Sequence, residues 1–153
     1  MKIKQLMTDH VEGISPTETV LQAANLMSKH NFGFLPVIDS DAQVIGALTD
    51  RDLVIRILAT SAPLDTKVEA IMTKPVYTIE ESEAVSLALS LMAEKQIRRL
   101  PVVNKQNQLV GIISLGDLAT YELTDERAGM ALKEISEPTT NPNRDLEVDD
   151  FPL

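Results

Sequence analysis

The chain has 153 residues, enough for one compact domain or for two small halves that share a core, since a half of about 65 residues is marginally stable alone. Its 44% apolar and 24% charged residues are near globular averages, and 3% aromatics with no Trp imply an aliphatic core. A net charge of -9 repels phosphate backbones and argues against a nucleic-acid partner, and the absence of Cys excludes disulfides and thiolate metal sites.

Met1-Lys2-Ile3-Lys4 is followed by polar residues rather than an apolar signal core, and no apolar run approaches a membrane span. The expectation is a soluble, cytoplasmic protein with no membrane partner.

The strongest internal signal is a repeat. A shift of 65 positions places Met7-Thr8 on Met72-Thr73, Leu35-Pro36-Val37 on Leu100-Pro101-Val102, Gly46 on Gly111, and Asp52-Leu53 on Asp117-Leu118, without a gap. Roughly three in ten aligned positions are identical, which makes coincidence a poor explanation.

In the first copy, Ser15-Pro16-Thr17-Glu18 combines an N-cap, a Pro at the first helical position and a Glu at the third. It predicts a helix opening there, with Val20, Ala23, Ala24 and Met27 on one face. Phe34 to Ile38 and Val44 to Leu48, joined by Asp39-Ser40-Asp41, predict an antiparallel hairpin. Thr49 or Asp50 then opens a helix through Leu58. The second copy repeats the order, with a helix near Glu83 to Glu94, strands near Leu100 to Val103 and Gln108 to Ile113, and a helix near Asp117.

Pro36 and Pro101 interrupt the first strand of each hairpin. A missing N–H is tolerated there only at an edge or a strand start, which places both near a sheet boundary. The expected boundaries are 3–60 for the first repeat, 61–67 for a linker containing Pro63, and 68–125 for the second repeat. A helical extension over 126–136 and a mobile acidic tail over 137–153, with Pro138, Pro142 and Pro152, complete the chain.

Chemistry points to Gly-x-x-Thr/Ser-x-x-Asp, present as Gly46 to Asp52 and as Gly111 to Asp117. It joins a strand end to a helix start, where unpaired N–H groups meet anions, a hydroxyl adds a hydrogen bond, and a carboxylate accepts from two neighbouring sugar hydroxyls. The glycine permits close approach of a flat ring. Thr49 with Asp52 and Ser114 with Asp117 equally satisfy the spacing of a capping box, with Asp in place of Glu. Duplication of the motif favours a ligand role without removing the capping one.

These motifs, the two Leu-Pro-Val strands and the run Gln96-Ile97-Arg98-Arg99-Leu100-Pro101-Val102-Val103 resemble tandem CBS domains, the pair called a Bateman module, over about residues 3 to 125. The likeness extends in particular to small stand-alone bacterial CBS-pair proteins of the YhcV-like kind. The resemblance implies an α+β fold of two βαββα-type repeats packed with pseudo-twofold symmetry, pairing head-to-head or head-to-tail into disk-shaped homodimers. It also implies two clefts that hold adenosine compounds such as AMP, ADP, ATP or S-adenosylmethionine.

By the same resemblance, Asp52 and Asp117 match the ribose-binding carboxylate, and Thr49 and Ser114 the hydroxyl beside it. Thr8, Val11 and Gly13, with Thr73, Val76 and Thr78, match positions lining base and sugar. Phe32 and Ile97 match apolar walls, and Arg98 and Arg99 match phosphate contacts, although a solvated surface pair is the plain alternative for the two arginines. The first copy has Gly33-Phe34 at that place, so the clefts are expected to differ, one being empty or preferring an uncharged ligand. Arg51 can compensate, but its counterpart is Gly116.

His10 and His30 lack a neighbouring ligand set and read as surface residues. No nucleotide-binding Walker loop, nucleophile elbow or zincin motif occurs, so the chain is expected to be a non-enzymatic regulatory module that requires no cofactor. The rivals are an interaction module whose motifs only cap helices, and a weak enzyme such as a nucleotide hydrolase. No attached effector domain is expected.

Overall fold

The structure is a computed structural model that describes residues 1–121 and 125–137. The elements run β1 (Thr8–Asp9), α1 (Val20–His30), β2 (Phe34–Ile38), β3 (Val44–Thr49) and α2 (Asp50–Leu53) in the first half. They continue as β4 (Ile79–Glu80), α3 (Val85–Lys95), β5 (Arg99–Val103), β6 (Leu109–Ser114), α4 (Leu115–Ala119) and α5 (Asp125–Ser136). The fold is α+β with two repeats of one plan, as expected.

One predicted boundary is displaced. Helix α1 begins at Val20 rather than beside Ser15, and its cap is Thr19, whose hydroxyl accepts from the Gln22 N–H while the Gln22 side chain accepts from the Thr19 N–H. The Ser15–Glu18 pair does form, with the Ser15 N–H donating to Glu18 Oε2 at 2.9 Å, but it closes a turn. The carbonyls of Pro16 and Glu18 are taken by the N–H groups of Glu69 and Val68, so no helix can run through them. Helix α2 passes directly into a π-helical turn, Val54–Leu58.

Symmetry extends to single hydrogen bonds. Val68 and Glu69 donate to Glu18 and Pro16, and Val20 to Thr66; at the matching positions Ile3 and Lys4 donate to Glu83 and Glu81, and Val85 to Met1. Asn31 and Gln96 end the first helix of each repeat in the left-handed region, at φ 54° and 53°, and Ala42 and Asn107 hold the hairpin turns at 61° and 60°.

Each repeat gives its opening segment to the other half. β1 pairs with β6, Thr8 opposite Ile112, in a four-stranded sheet ordered β1-β6-β5-β4. In the first half, Thr73 bridges Ala47 at the equivalent place beside the β2–β3 hairpin. Fully buried Ile3 lies in the core of the second half with Leu89, Met92, Leu100 and Ile113, while Val68 lies in that of the first with Ala23, Leu35 and Leu48. The spatial halves therefore do not coincide with the sequence repeats.

Pro101 sits in an internal strand, yet one residue before β4 begins to pair with β5 at Val102. Pro36 precedes the Ile14–Val37 bridge in the same way, and its carbonyl accepts from the Ile14 N–H. A missing N–H costs nothing where no neighbouring chain has yet arrived.

α5 lays Ala128, Ala131 and Ile135 into the second core, against α3 and α4. The first half has no such cover among the described residues, and Leu21, Val54, Leu58 and Leu64 stay exposed there. The tail expected over 137–153 lies outside the described residues beyond Glu137.

Candidate functional site

Both motifs fold as strand-end-to-helix junctions closed by a reciprocal cap. The Thr49 N–H donates to Asp52 Oδ2 at 2.9 Å and the Asp52 N–H to Thr49 Oγ1 at 3.1 Å; Ser114 and Asp117 repeat this at 2.8 and 3.1 Å. The capping role is thus realised, and it occupies Oδ2 of each carboxylate. The same junctions also face clefts, because the exchanged segment of the other repeat runs past each one.

The first cleft, about 240 Å³, brings Thr49, Arg51 and Asp52 of repeat one together with Thr73, Val76, Ile97 and Arg99 of repeat two. The second, about 400 Å³, joins Ser114 and Asp117 to Thr8, Val11 and Phe32, again with Arg99. The larger value falls in the range of small-molecule sites and the smaller just below it. Most lining positions of one cleft correspond to those of the other under the 65-residue shift.

Three expected residues stand elsewhere. Gly13 lies against Ile38, whose side chain would come within 2.8 Å of an added Cβ, and neither Gly13 nor its counterpart Thr78 lines a cleft. There the chain has already turned to pair with the hairpin, at Ile14 and at Ile79. Arg98 lines a separate hollow with Gly116, Ala128, Gly129 and Leu132, adjoining the second cleft through the shared Arg99 and Ser114. Successive side chains at a strand start point to opposite sides, which parts it from Arg99.

The motif glycines serve packing rather than a ring. A Cβ at Gly46 would lie 2.6 Å from Met72 Sδ, and one at Gly111 would lie 2.7 Å from the Thr8 carbonyl oxygen. Each clears the path of the exchanged Met-Thr segment.

Other lining residues were not expected. Arg56 braces the first cleft, its Nη1 donating to the Ile71 carbonyl at 2.5 Å and to Thr73 Oγ1 at 3.0 Å, its Nη2 standing 3.5 Å from Asp52 Oδ1. Tyr77 also lines this cleft, with Lys95 Nζ 5.3 Å from its ring centre. The pKa of the Lys95 ammonium is held above its ordinary value, first by the hydrogen bond it donates to Glu94 and then by that carboxylate's charge.

His10 and His30, read from the sequence as surface residues, line the second cleft with Asp9 and Glu12, and His30 Nε2 lies 3.2 Å from Glu12 Oε2. Phe34 lines both clefts. Among the described residues no three His, Asp or Glu side chains are grouped to hold a metal, and no helix is long and apolar enough to cross a membrane.

Comparison with known proteins agrees with this architecture. A family model described as CBS domain matches residues 3–59 and 68–123. The chain is 42% identical over 134 residues to the CBS domain-containing protein YhcV of Bacillus subtilis (strain 168), covering 88% of this chain and 94% of that one. It superimposes with a TM-score of 0.66 on the CBS domain pair of protein MJ0100 in complex with methylthioadenosine and S-adenosyl-L-methionine, at 27% identity over 78% of this chain and 93% of that one. A TM-score of 0.66 also relates it to CBSX2 in complex with AMP, at 25% identity over 86% and 98% of the two chains. Duplicated motifs, exchanged segments and paired clefts thus carry one conclusion: the chain belongs to the CBS-domain family, as a tandem CBS pair.

Proposed function

We propose that this CBS pair is a regulatory module that binds an adenosine-containing ligand, among AMP, ADP, ATP and S-adenosylmethionine, between its repeats and does not transform it. The observation that carries this reading is that each Asp–hydroxyl junction faces, across a cleft, the exchanged segment of the other repeat. Solved CBS pairs in complex with AMP or with S-adenosyl-L-methionine support it by likeness.

Asp117 keeps Oδ1 for ribose hydroxyls while Oδ2 holds the cap; Asp52 does the same with Oδ1 shared with the Arg56 guanidinium, 3.5 Å away. Thr49 and Ser114 lie beside them, Thr73 with Val76 and Thr8 with Val11 line base and sugar, and Ile97 and Phe32 form the apolar walls. Arg51 and Arg99 are the phosphate contacts, with Arg98 reaching only a tail that extends into its adjoining hollow. Gly13 and Thr78 drop out of the set.

A ligand that touches both repeats binds one arrangement of the halves more tightly than another, which is how occupancy becomes a signal. The exposed Leu21, Val54, Leu58 and Leu64 suit pairing with a second copy, since the matching face of the other half is taken by α5. A thermal-shift panel of AMP, ADP, ATP, S-adenosylmethionine and NAD tests the binding. Ligand at about 100 times its Kd adds about 2.7 kcal/mol and raises the midpoint by several degrees. No shift with any of them rejects the reading and leaves the motifs as helix caps in an interaction module.

A further inference from the structure

We infer that the two clefts take adenosine ligands of opposite charge, the first a phosphate-bearing nucleotide and the second a nucleoside whose 5′ group is cationic, with Arg99 as the group they share. The inference rests on the proposed adenosine binding and adds which ligand goes where.

The clefts are alike in position and opposite in charge. Around the first stand three guanidinium groups, Arg51, Arg56 and Arg99, against one carboxylate, Asp52. Arg56 is held on Asp52 and on backbone and hydroxyl oxygens, which leaves Arg51 and Arg99, whose side chains have no partner among the described residues, for an incoming anion. Around the second stand three carboxylates, Asp9, Glu12 and Asp117, against Arg99 alone.

Four substitutions at matching positions push the same way, while Pro75, which corresponds to His10, does not. Under the 65-residue shift, Arg51 becomes Gly116, Arg56 becomes Tyr121, Tyr77 corresponds to Glu12 and Lys74 to Asp9. Like charges gathered around a concave site repel a ligand of their own sign and concentrate its opposite, Asp117 from the half-buried wall and Asp9 and Glu12 from the exposed rim. A phosphate entering the second cleft meets Asp117, Glu12 and Asp9, whereas a sulfonium or ammonium group meets its complement.

Arg99 adds coupling. It lines both clefts, and a single planar guanidinium cannot grip a phosphate in one while offsetting carboxylates in the other. A nucleotide in the first cleft draws Arg99 to itself and leaves the second more acidic, so it tightens a cation there, and the effect is reciprocal. His10 and His30 stand beside the same carboxylates, His30 at 3.2 Å from Glu12 and His10 at 3.7 Å from Asp9.

Isothermal titration of the full chain with AMP, with S-adenosylmethionine as the cationic probe, and with adenosine as the neutral reference tests this. The expected result is one AMP and one S-adenosylmethionine per chain, neither displacing the other, with saturating AMP tightening S-adenosylmethionine by about fivefold or more. Glu12→Gln should weaken S-adenosylmethionine and leave AMP unchanged, and Arg99→Met should abolish the coupling. Two equal AMP sites, or mutual displacement of AMP and S-adenosylmethionine, overturns the inference while leaving adenosine binding intact. Failure of all three probes to bind overturns the adenosine reading and this inference with it.

Discussion

Phe34 and Arg99 occupy the same place in the two halves, at the start of β2 and of β5, and each lines both clefts. A ring and a guanidinium therefore share a spot where two equal residues would have made the site symmetric. Phe34→Arg would supply a second cation near both clefts. It is expected to raise AMP affinity at the weaker cleft and to reduce the tightening of S-adenosylmethionine by AMP, both read by titration calorimetry.

Ile3 is fully buried in the half to which its own repeat does not belong. Ile3→Ala should cost about 2–5 kcal/mol, as buried large-to-small changes do. Since Ile3 ties one repeat into the core of the other, urea denaturation should remain a single transition by circular dichroism, with its midpoint lowered and its slope retained.

Gly111 and Gly46 are matched, but what an added methyl meets is not. At Gly111 it meets the rigid Thr8 carbonyl, and at Gly46 the flexible end of Met72 comes first. Gly111→Ala is expected to lose about 1–3 kcal/mol and Gly46→Ala less, by equilibrium unfolding, because only the former forces β1 off β6.

Arg56 joins Asp52 to the Ile71 carbonyl and to Thr73, a bracket between a motif and the exchanged segment built of charge-assisted contacts. Arg56→Met should cost about 1.5–3 kcal/mol in chemical denaturation, the ordinary loss for hydrogen bonds to a charged group. Asp52→Asn, which keeps an acceptor for the Thr49 N–H, should be milder for stability and still weaken AMP.

Much of this was legible in the sequence, and the reasons are local. The repeat, the hairpins and the motif caps depend on neighbours in the chain, so spacing reveals them. The displaced start of α1 came from partners at Thr66, Val68 and Glu69, which no window around Ser15 contains. The glycines were read as ring contacts because glycine signals close approach without saying of what. Asp9, Glu12 and His30 carry no local sign of a cleft, because their companions Ser114 and Asp117 lie far along the chain and meet them only once the two halves are packed.

The exchange also changes what the covalent link between the repeats is for. Residues 1–9 stay seated in the second half and residues 66–73 in the first whether or not the chain is continuous between Leu58 and Asp65. A protease nick in that stretch should yield two bands on a denaturing gel and one particle on native gel filtration. The linker, on this view, guarantees that the two halves are made in equal number and find each other; it is not what keeps them together.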